Sequence, residues 1–192
     1  MANQPRAIGL ALITLLMWST VATAFKLTLA YASVLQTLAV ASVVSSLVLV
    51  ILVVLSGKGA ALADVFWDNW RFTLLAGLLN PVIYYLILFE AYDRLPAQLA
   101  QPINLTWTIV LSLMAGFFLK QRIRGFDYAA ALISYTGVLV IVSQGDASQL
   151  LQADWIGVGL AIGSTLIWAG YWTLNIRDQR EPLVGMCLNF VI

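Results

Sequence analysis

Residues 27–57 read LTLAYASVLQTLAVASVVSSLVLVILVVLSG, 31 residues without a single charge. A helix needs about 20 apolar residues, at 1.5 Å each, to cross roughly 30 Å of hydrocarbon. This one run is therefore long enough to span a bilayer. Outward from it, charges punctuate the chain at regular intervals. Residues 7–25, 72–89, 95–119, 128–145 and 155–176 carry none either, over 19, 18, 25, 18 and 22 residues. With 27–57 these make six spans. A further apolar run starts at Pro182 and counts 11 charge-free residues at Ile192. Inside a bilayer the backbone must satisfy its own hydrogen bonds, which leaves helices or closed barrels. A barrel would show alternating strands of about ten residues, and these runs do not alternate. The expected fold class is an all-α polytopic membrane protein.

Composition points the same way. Hydrophobic residues make up 61% and charged residues 10%, with mean hydropathy +0.92, whereas a soluble domain is roughly 25% charged. The net charge of +1 gives no reason to expect a nucleic-acid partner. One cysteine, Cys187, and no histidine exclude a disulfide framework and a His/Cys metal site. No cofactor is implied. The opening MANQPRAIGL lacks a small-residue cleavage site, so the first apolar run reads as a retained helix.

With the N-terminus in the cytoplasm, the inner segments hold Arg6, Lys58, Arg71, Lys120, Arg122, Arg124, Arg177 and Arg180. The outer ones hold only Lys26 and Arg94. Eight against two is a positive-inside bias. Asp93, Asp146 and Asp154 fall outside, and Trp67, Trp70, Tyr128 and Trp155 fall near interfaces, where amphipathic rings prefer to lie. A first prediction follows from this bias. With Cys187 replaced, cysteines introduced at Gln149 and Gln121 should label oppositely with an impermeant thiol reagent added outside. Labelling at Gln121 alone would reverse the orientation.

GLALITLLMW (9–18) and GLAIGSTLIW (159–168) share five identities in ten at an offset of 150, among them Gly9/Gly159 and Trp18/Trp168. By the span count the two segments cross in opposite senses, which describes an inverted repeat of the kind many secondary transporters use. The expected organisation is a five-helix unit over 1–145 and the start of a second unit over 153–192. A 150-residue repeat predicts a protein of about 300 residues. The expectation is thus a chain cut after the start of its seventh helix, inactive alone and missing one wall of its cavity.

The chain resembles the drug/metabolite transporter superfamily, of the EamA type. The residues that carry the resemblance are LLMWSTVATAFK (15–26), INLTWTIVLSLMAGFFLKQRI (103–123), GVLVIV (137–142) and IWAGYWTLN (167–175). WST and IWAGY look most like the branch that exports aromatic amino acids. Thr108 stands where the family often has proline, and Gln121 where it often has glutamate. The resemblance implies a multi-pass protein of the plasma membrane, here a bacterial inner membrane, whose partners are lipid and a small-molecule substrate. A homodimer is left open.

LAQPINLTWTIVL (99–111) places polar groups inside an apolar span. Gln98, Gln101, Asn104 and Thr108 recur at steps of 3, 3 and 4 and share a helix face. Amides in lipid are costly without partners or water. Pro102 leaves the Gln98 carbonyl unpaired and can kink the helix. Two readings stand: the stripe lines a cavity with Gln101 and Asn104, Trp107 beside them, or it joins helices by hydrogen bonds. Ser164, Trp168, Tyr171 and Asn175 form a second stripe, with Trp168 and Tyr171 as cavity candidates and interface anchoring as the alternative. Trp18 and Tyr84 complete the substrate-binding candidates, and Pro81 in NPVIYY (80–85) is a second kink candidate. Glu90 is a coupling carboxylate or an ion-paired surface acid. Gly159–Gly163 and Ser42–Ser46 have the small-xxx-small spacing that lets helices approach.

These features favour a secondary transporter, exporting small metabolites such as amino acids, over two alternatives. One is a membrane subunit that does not transport. The other is an intramembrane enzyme, but a Ser/His dyad needs histidine, and only Glu90 comes near membrane depth for a carboxylate pair. No phosphate-binding loop is present for ATP. The chain is not expected to be an enzyme.

Overall fold

The computed structural model describes residues 4–118, 122–144, 146, 148 and 153–192. Lys120, Gln121 and Gln149 lie outside the described residues. The described residues form nine α-helices: α1 (Gln4–Leu29), α2 (Val34–Leu55), α3 (Ala61–Gly77), α4 (Tyr84–Arg94), α5 (Ala97–Leu105), α6 (Trp107–Phe118), α7 (Gly125–Ser143), α8 (Trp155–Asn175) and α9 (Pro182–Val191). A π-helical turn, Leu78–Ile83, joins α3 to α4. By length and composition, six helical segments among them can cross a membrane: Ala7–Leu29, Val34–Leu55, Ala61–Arg94, Ala97–Phe118, Gly125–Ser143 and Trp155–Asn175. The fold is an all-α, multi-pass membrane architecture.

Local chemistry sets several boundaries. Ser33 caps α2 through a reciprocal box: its hydroxyl accepts from the Gln36 amide and the Gln36 side chain accepts from the Ser33 amide. Asp154 caps α8 by accepting from the Ile156 and Gly157 amides, both at 3.0 Å. Glu181 caps α9, with Pro182 in the first turn where no donor is needed. The third span breaks at Asn80–Pro81, a cis peptide with Asn80 extended (φ −146°, ψ 115°).

The fourth span breaks in a different place from the expected one. Pro102 sits inside α5, which continues to Leu105, and the interruption falls at Thr106. There the backbone amide and the hydroxyl of Thr106 both donate to the Ile103 carbonyl, at 3.1 and 2.7 Å. That tight turn ends one helix before Trp107 begins the next.

Helix α8 runs through the middle, against α4, α5 and α6. Its buried face is made of small residues: Ala161, Ser164, Thr165 and Ala169 are all fully inaccessible. Small side chains let helix backbones come close where lipid supplies no hydrophobic drive. Gly159 and Gly163, which have the small-xxx-small spacing, do not belong to this face. A Cβ at either would meet nothing within 4 Å, because both face away from the closest helix neighbours. Of the second small pair, Ser46 does serve an approach: its hydroxyl donates to the Phe190 carbonyl at 2.6 Å.

The run after Pro182 is a docked helix. Helix α9 packs against α2 and α3, where Val184, Cys187 and Leu188 join Val53 in a buried cluster. A larger cluster, with Leu88, Phe89, Tyr92 and Ile103, lies toward the other end of the bundle. Each end carries an ion-pair landmark. Arg94, the last residue of α4, lies 3.7 Å from Asp154 before α8. Lys58, after α2, lies 2.7 Å from Glu181 before α9. We call these the Arg94 end and the Arg180 end.

Candidate functional site

The break at Asn80–Pro81 and the start of α4 turn Tyr84, Tyr85, Leu88 and Tyr92 toward α1, α5 and α8. Between these helices lies a cavity of about 160 Å³. Trp18 and Phe25 border it from α1, Trp168 from α8, and Trp107 from the start of α6. Gln101 and Asn104 face it from α5. None of its lining side chains is charged. It extends from mid-bundle toward the Arg94 end.

The rings form an ordered stack. Trp168 lies 4.4 Å from Tyr84 in a near-parallel arrangement (27°) and 6.2 Å from Trp107, edge to face (87°). Both are favourable aromatic geometries. The amides are held from the sides. Asn104 Nδ2 donates to the Ser164 hydroxyl at 2.9 Å, while Asn104 Oδ1 accepts from the Tyr84 hydroxyl at 3.4 Å. Gln101 Oε1 accepts from the Tyr92 hydroxyl. Among the described residues no hydrogen bond uses Gln101 Nε2, whose two N–H donors face the cavity side of α5.

The structure thus brings six of the sequence candidates together: Trp18, Tyr84, Gln101, Asn104, Trp107 and Trp168. Tyr171 stands behind them. It is buried, stacks on Trp168 at 5.8 Å and does not border the cavity. Asn175 donates back to the Tyr171 carbonyl of its own helix. Glu90 lies away from the cavity, half-exposed, accepting from Arg94 Nε at 2.9 Å. Pro81 lies in the π-helical turn just before Tyr84, and Pro102 sits between the two amides. The sequence candidates do not include Phe25 or Tyr92, and Tyr85 enters only within NPVIYY (80–85). The step of four from Tyr84 to Leu88 to Tyr92 was the signal available for Tyr92.

A second polar group sits at the Arg180 end. The Arg180 side chain is 3% exposed and pairs with Asp178, 2.8 Å from Nη2 to Oδ2. Its Nη1 donates to the Thr73 hydroxyl at 2.8 Å and its Nη2 to Asn189 Oδ1 at 3.1 Å. The guanidinium also lies over the Phe72 ring, 4.8 Å from its centroid. Burial works against the charge on Asp178, but hydrogen bonds and charge from Arg180 outweigh it and hold the carboxyl below its ordinary value.

The EamA-like transporter family model matches residues 5–143. This chain belongs to the EamA-like transporter family. The match covers α1 to α7, so five of the six candidate spans are family spans. Neither the curated proteins nor the solved structures contain a match to it. An EamA-like protein is a transporter and not a catalyst. Among the described residues no group of three or more His, Cys, Asp or Glu side chains is placed to hold a metal ion.

Proposed function

We propose that this EamA-like protein is a secondary transporter, an exporter in the plasma membrane of a bacterium, and that its solute is a small amphipathic molecule without net charge, such as a neutral amino acid. The observation that carries this reading is the cavity itself: aromatic walls, two amides and no charged lining. A net charge left unpaired there would be costly, whereas a ring could stack on Trp168 and Tyr84 and a polar end could reach Gln101. The volume, about 160 Å³, is close to that of engineered apolar cavities of about 150 Å³ that take up benzene. One ring or a branched aliphatic side chain fits this conformation.

Trp18, Tyr84, Gln101, Asn104, Trp107 and Trp168 would contact the solute, and Tyr171 would back Trp168. Pro81 and Pro102 would give the third and fourth spans their freedom to bend. The repeat between 9–18 and 159–168 gains support from Trp18 and Trp168, its matched indoles, both bordering the one cavity. The Glu90–Arg94 pair favours the surface ion-pair role for that acid over a coupling role.

Asn104→Ala tests the proposal. Loss of about 1 kcal/mol of hydrogen bonding to a solute weakens apparent affinity about fivefold. Asn104 also joins α5 to α8 through Ser164, so stability should fall too, by about 1 kcal/mol or less. Both are read on one purified protein, as binding of L-phenylalanine and L-leucine and as thermal stability. An unstable variant with unchanged affinity would leave Asn104 as a structural tie and overturn its place in the site.

A further inference from the structure

The Asp178–Arg180 pair is unlike every other ion pair among the described residues, because its side chains are 14% and 3% exposed while the rest are more than a third exposed. It lies in the connection between α8 and α9, at the end of the bundle away from the cavity's extension. Around it the satisfied donors reach three separate elements: Thr73 on α3, Asn189 on α9 and Asp178 in the loop. From Asn189 a continuous line leads to the cavity. Asn189 Nδ2 donates to the Tyr171 hydroxyl at 3.3 Å, Tyr171 stacks on Trp168, and Trp168 borders the cavity.

A fold does not need such a pair for stability. Desolvating two charges offsets most of their attraction, and apolar replacements of similar size are often neutral or stabilising. What a buried ion pair has that an apolar contact lacks is a second favourable state. When the surrounding helices part, water takes up both charges, and the open form regains the hydration that the closed form lost. A contact with two states of similar free energy is the requirement for a moving part. We propose that Asp178 and Arg180 form a releasable latch that shuts the Arg180 end of the bundle beneath the cavity, by fastening the α8–α9 connection to α3. Lys58 and Glu181, an exposed pair 2.7 Å apart, lie at the same closure. The latch concerns the protein's conformations alone, so it can be tested without knowing the solute.

The experiment measures distances between spin labels at Ile176→Cys and Ala60→Cys, both exposed positions at the Arg180 end, in the otherwise full chain carrying Cys187→Ala and reconstituted in lipid. Arg180→Met leaves Asp178 buried without its partner. Its distance distribution should gain a population longer by about 5 Å, the size of a one-turn helix displacement. Asp178→Leu with Arg180→Met removes both charges and with them the drive to hydrate. That double variant should fold, and its distribution should be narrower than the parent's and lack its longest distances. A purely structural pair predicts no such opposition. Distributions that both lengthen, or a double variant indistinguishable from the parent, would overturn the latch. If Arg180→Met alone fails to fold, the double variant still decides between these outcomes.

Discussion

Trp168→Ala is expected to lower the stability of the folded protein by about 3 kcal/mol and to weaken solute binding at least about tenfold. Truncating a buried aromatic to alanine costs roughly 3–5 kcal/mol. The lower end applies here because one face of Trp168 borders the cavity. The lost neighbours are specific: Tyr84 at 4.4 Å, Tyr171 at 5.8 Å, and Trp172 at 6.1 Å. Each such aromatic pair contributes about 0.5–1.5 kcal/mol beyond area burial, and a solute ring seated on the indole loses a similar contact. A tenfold change corresponds to about 1.4 kcal/mol. Trp168→Phe keeps a ring in the stack and should recover most of both effects. Thermal stability and L-phenylalanine binding on the two variants check this. Normal affinity in a destabilised Trp168→Ala protein would reduce Trp168 to a packing residue.

Gly77→Ala should cost about 3 kcal/mol, the upper part of the range for overpacking a tight contact. A Cβ at Gly77 would stand 2.7 Å from the backbone oxygen of Asn189. No rotamer change relieves that clash; α9 must move, and Asn189 would carry its bonds to Arg180 and Tyr171 with it. Gly157→Ala should also destabilise, though less than Gly77→Ala, because its Cβ meets the buried Leu95 side chain at 2.8 Å and the Arg94 Cβ at 3.1 Å rather than a backbone oxygen. Gly159→Ala and Gly163→Ala meet open space and should stay within about 0.5 kcal/mol of the parent. Thermal denaturation of the four variants in one detergent ranks them. Equal melting of Gly77→Ala and Gly163→Ala would mean that α9 does not sit against α3 as described.

The glycine series also marks where one-dimensional reasoning stopped. Spacing nominated Gly159 and Gly163 because a small-xxx-small pair is visible along a helix. It gave no sign of Gly77, whose importance depends on a backbone more than a hundred residues away in the chain. The amide stripe of the fourth span fared differently. Gln101 and Asn104 share a face by simple helical geometry, and that face borders the cavity. Periodicity can pair residues within a helix but cannot name Ser164 as the partner of Asn104, because which helix lies opposite is a question of packing.

The sequence by itself determined that the chain is a multi-pass, helical membrane protein, and its six charge-free runs correspond to the six helical segments among the described residues that are long and apolar enough to cross. Hydrocarbon thickness and the cost of an unsatisfied backbone act on each segment separately, so a run of apolar residues answers to them without reference to its neighbours. It also placed aromatic and amide residues at positions on α4, α5 and α8 that share a face. Only the tertiary structure decided that Trp18 and Trp168 border one cavity, that the fourth span breaks at Thr106, and that α9 docks between α2 and α3. The clearest case is Arg180. Along the chain it is one of eight basic residues consistent with a cytoplasmic side. In the fold it is buried against Asp178, Thr73 and Asn189. A charge is identical in sequence whether water or protein surrounds it, and its role follows from the surroundings that distant segments provide.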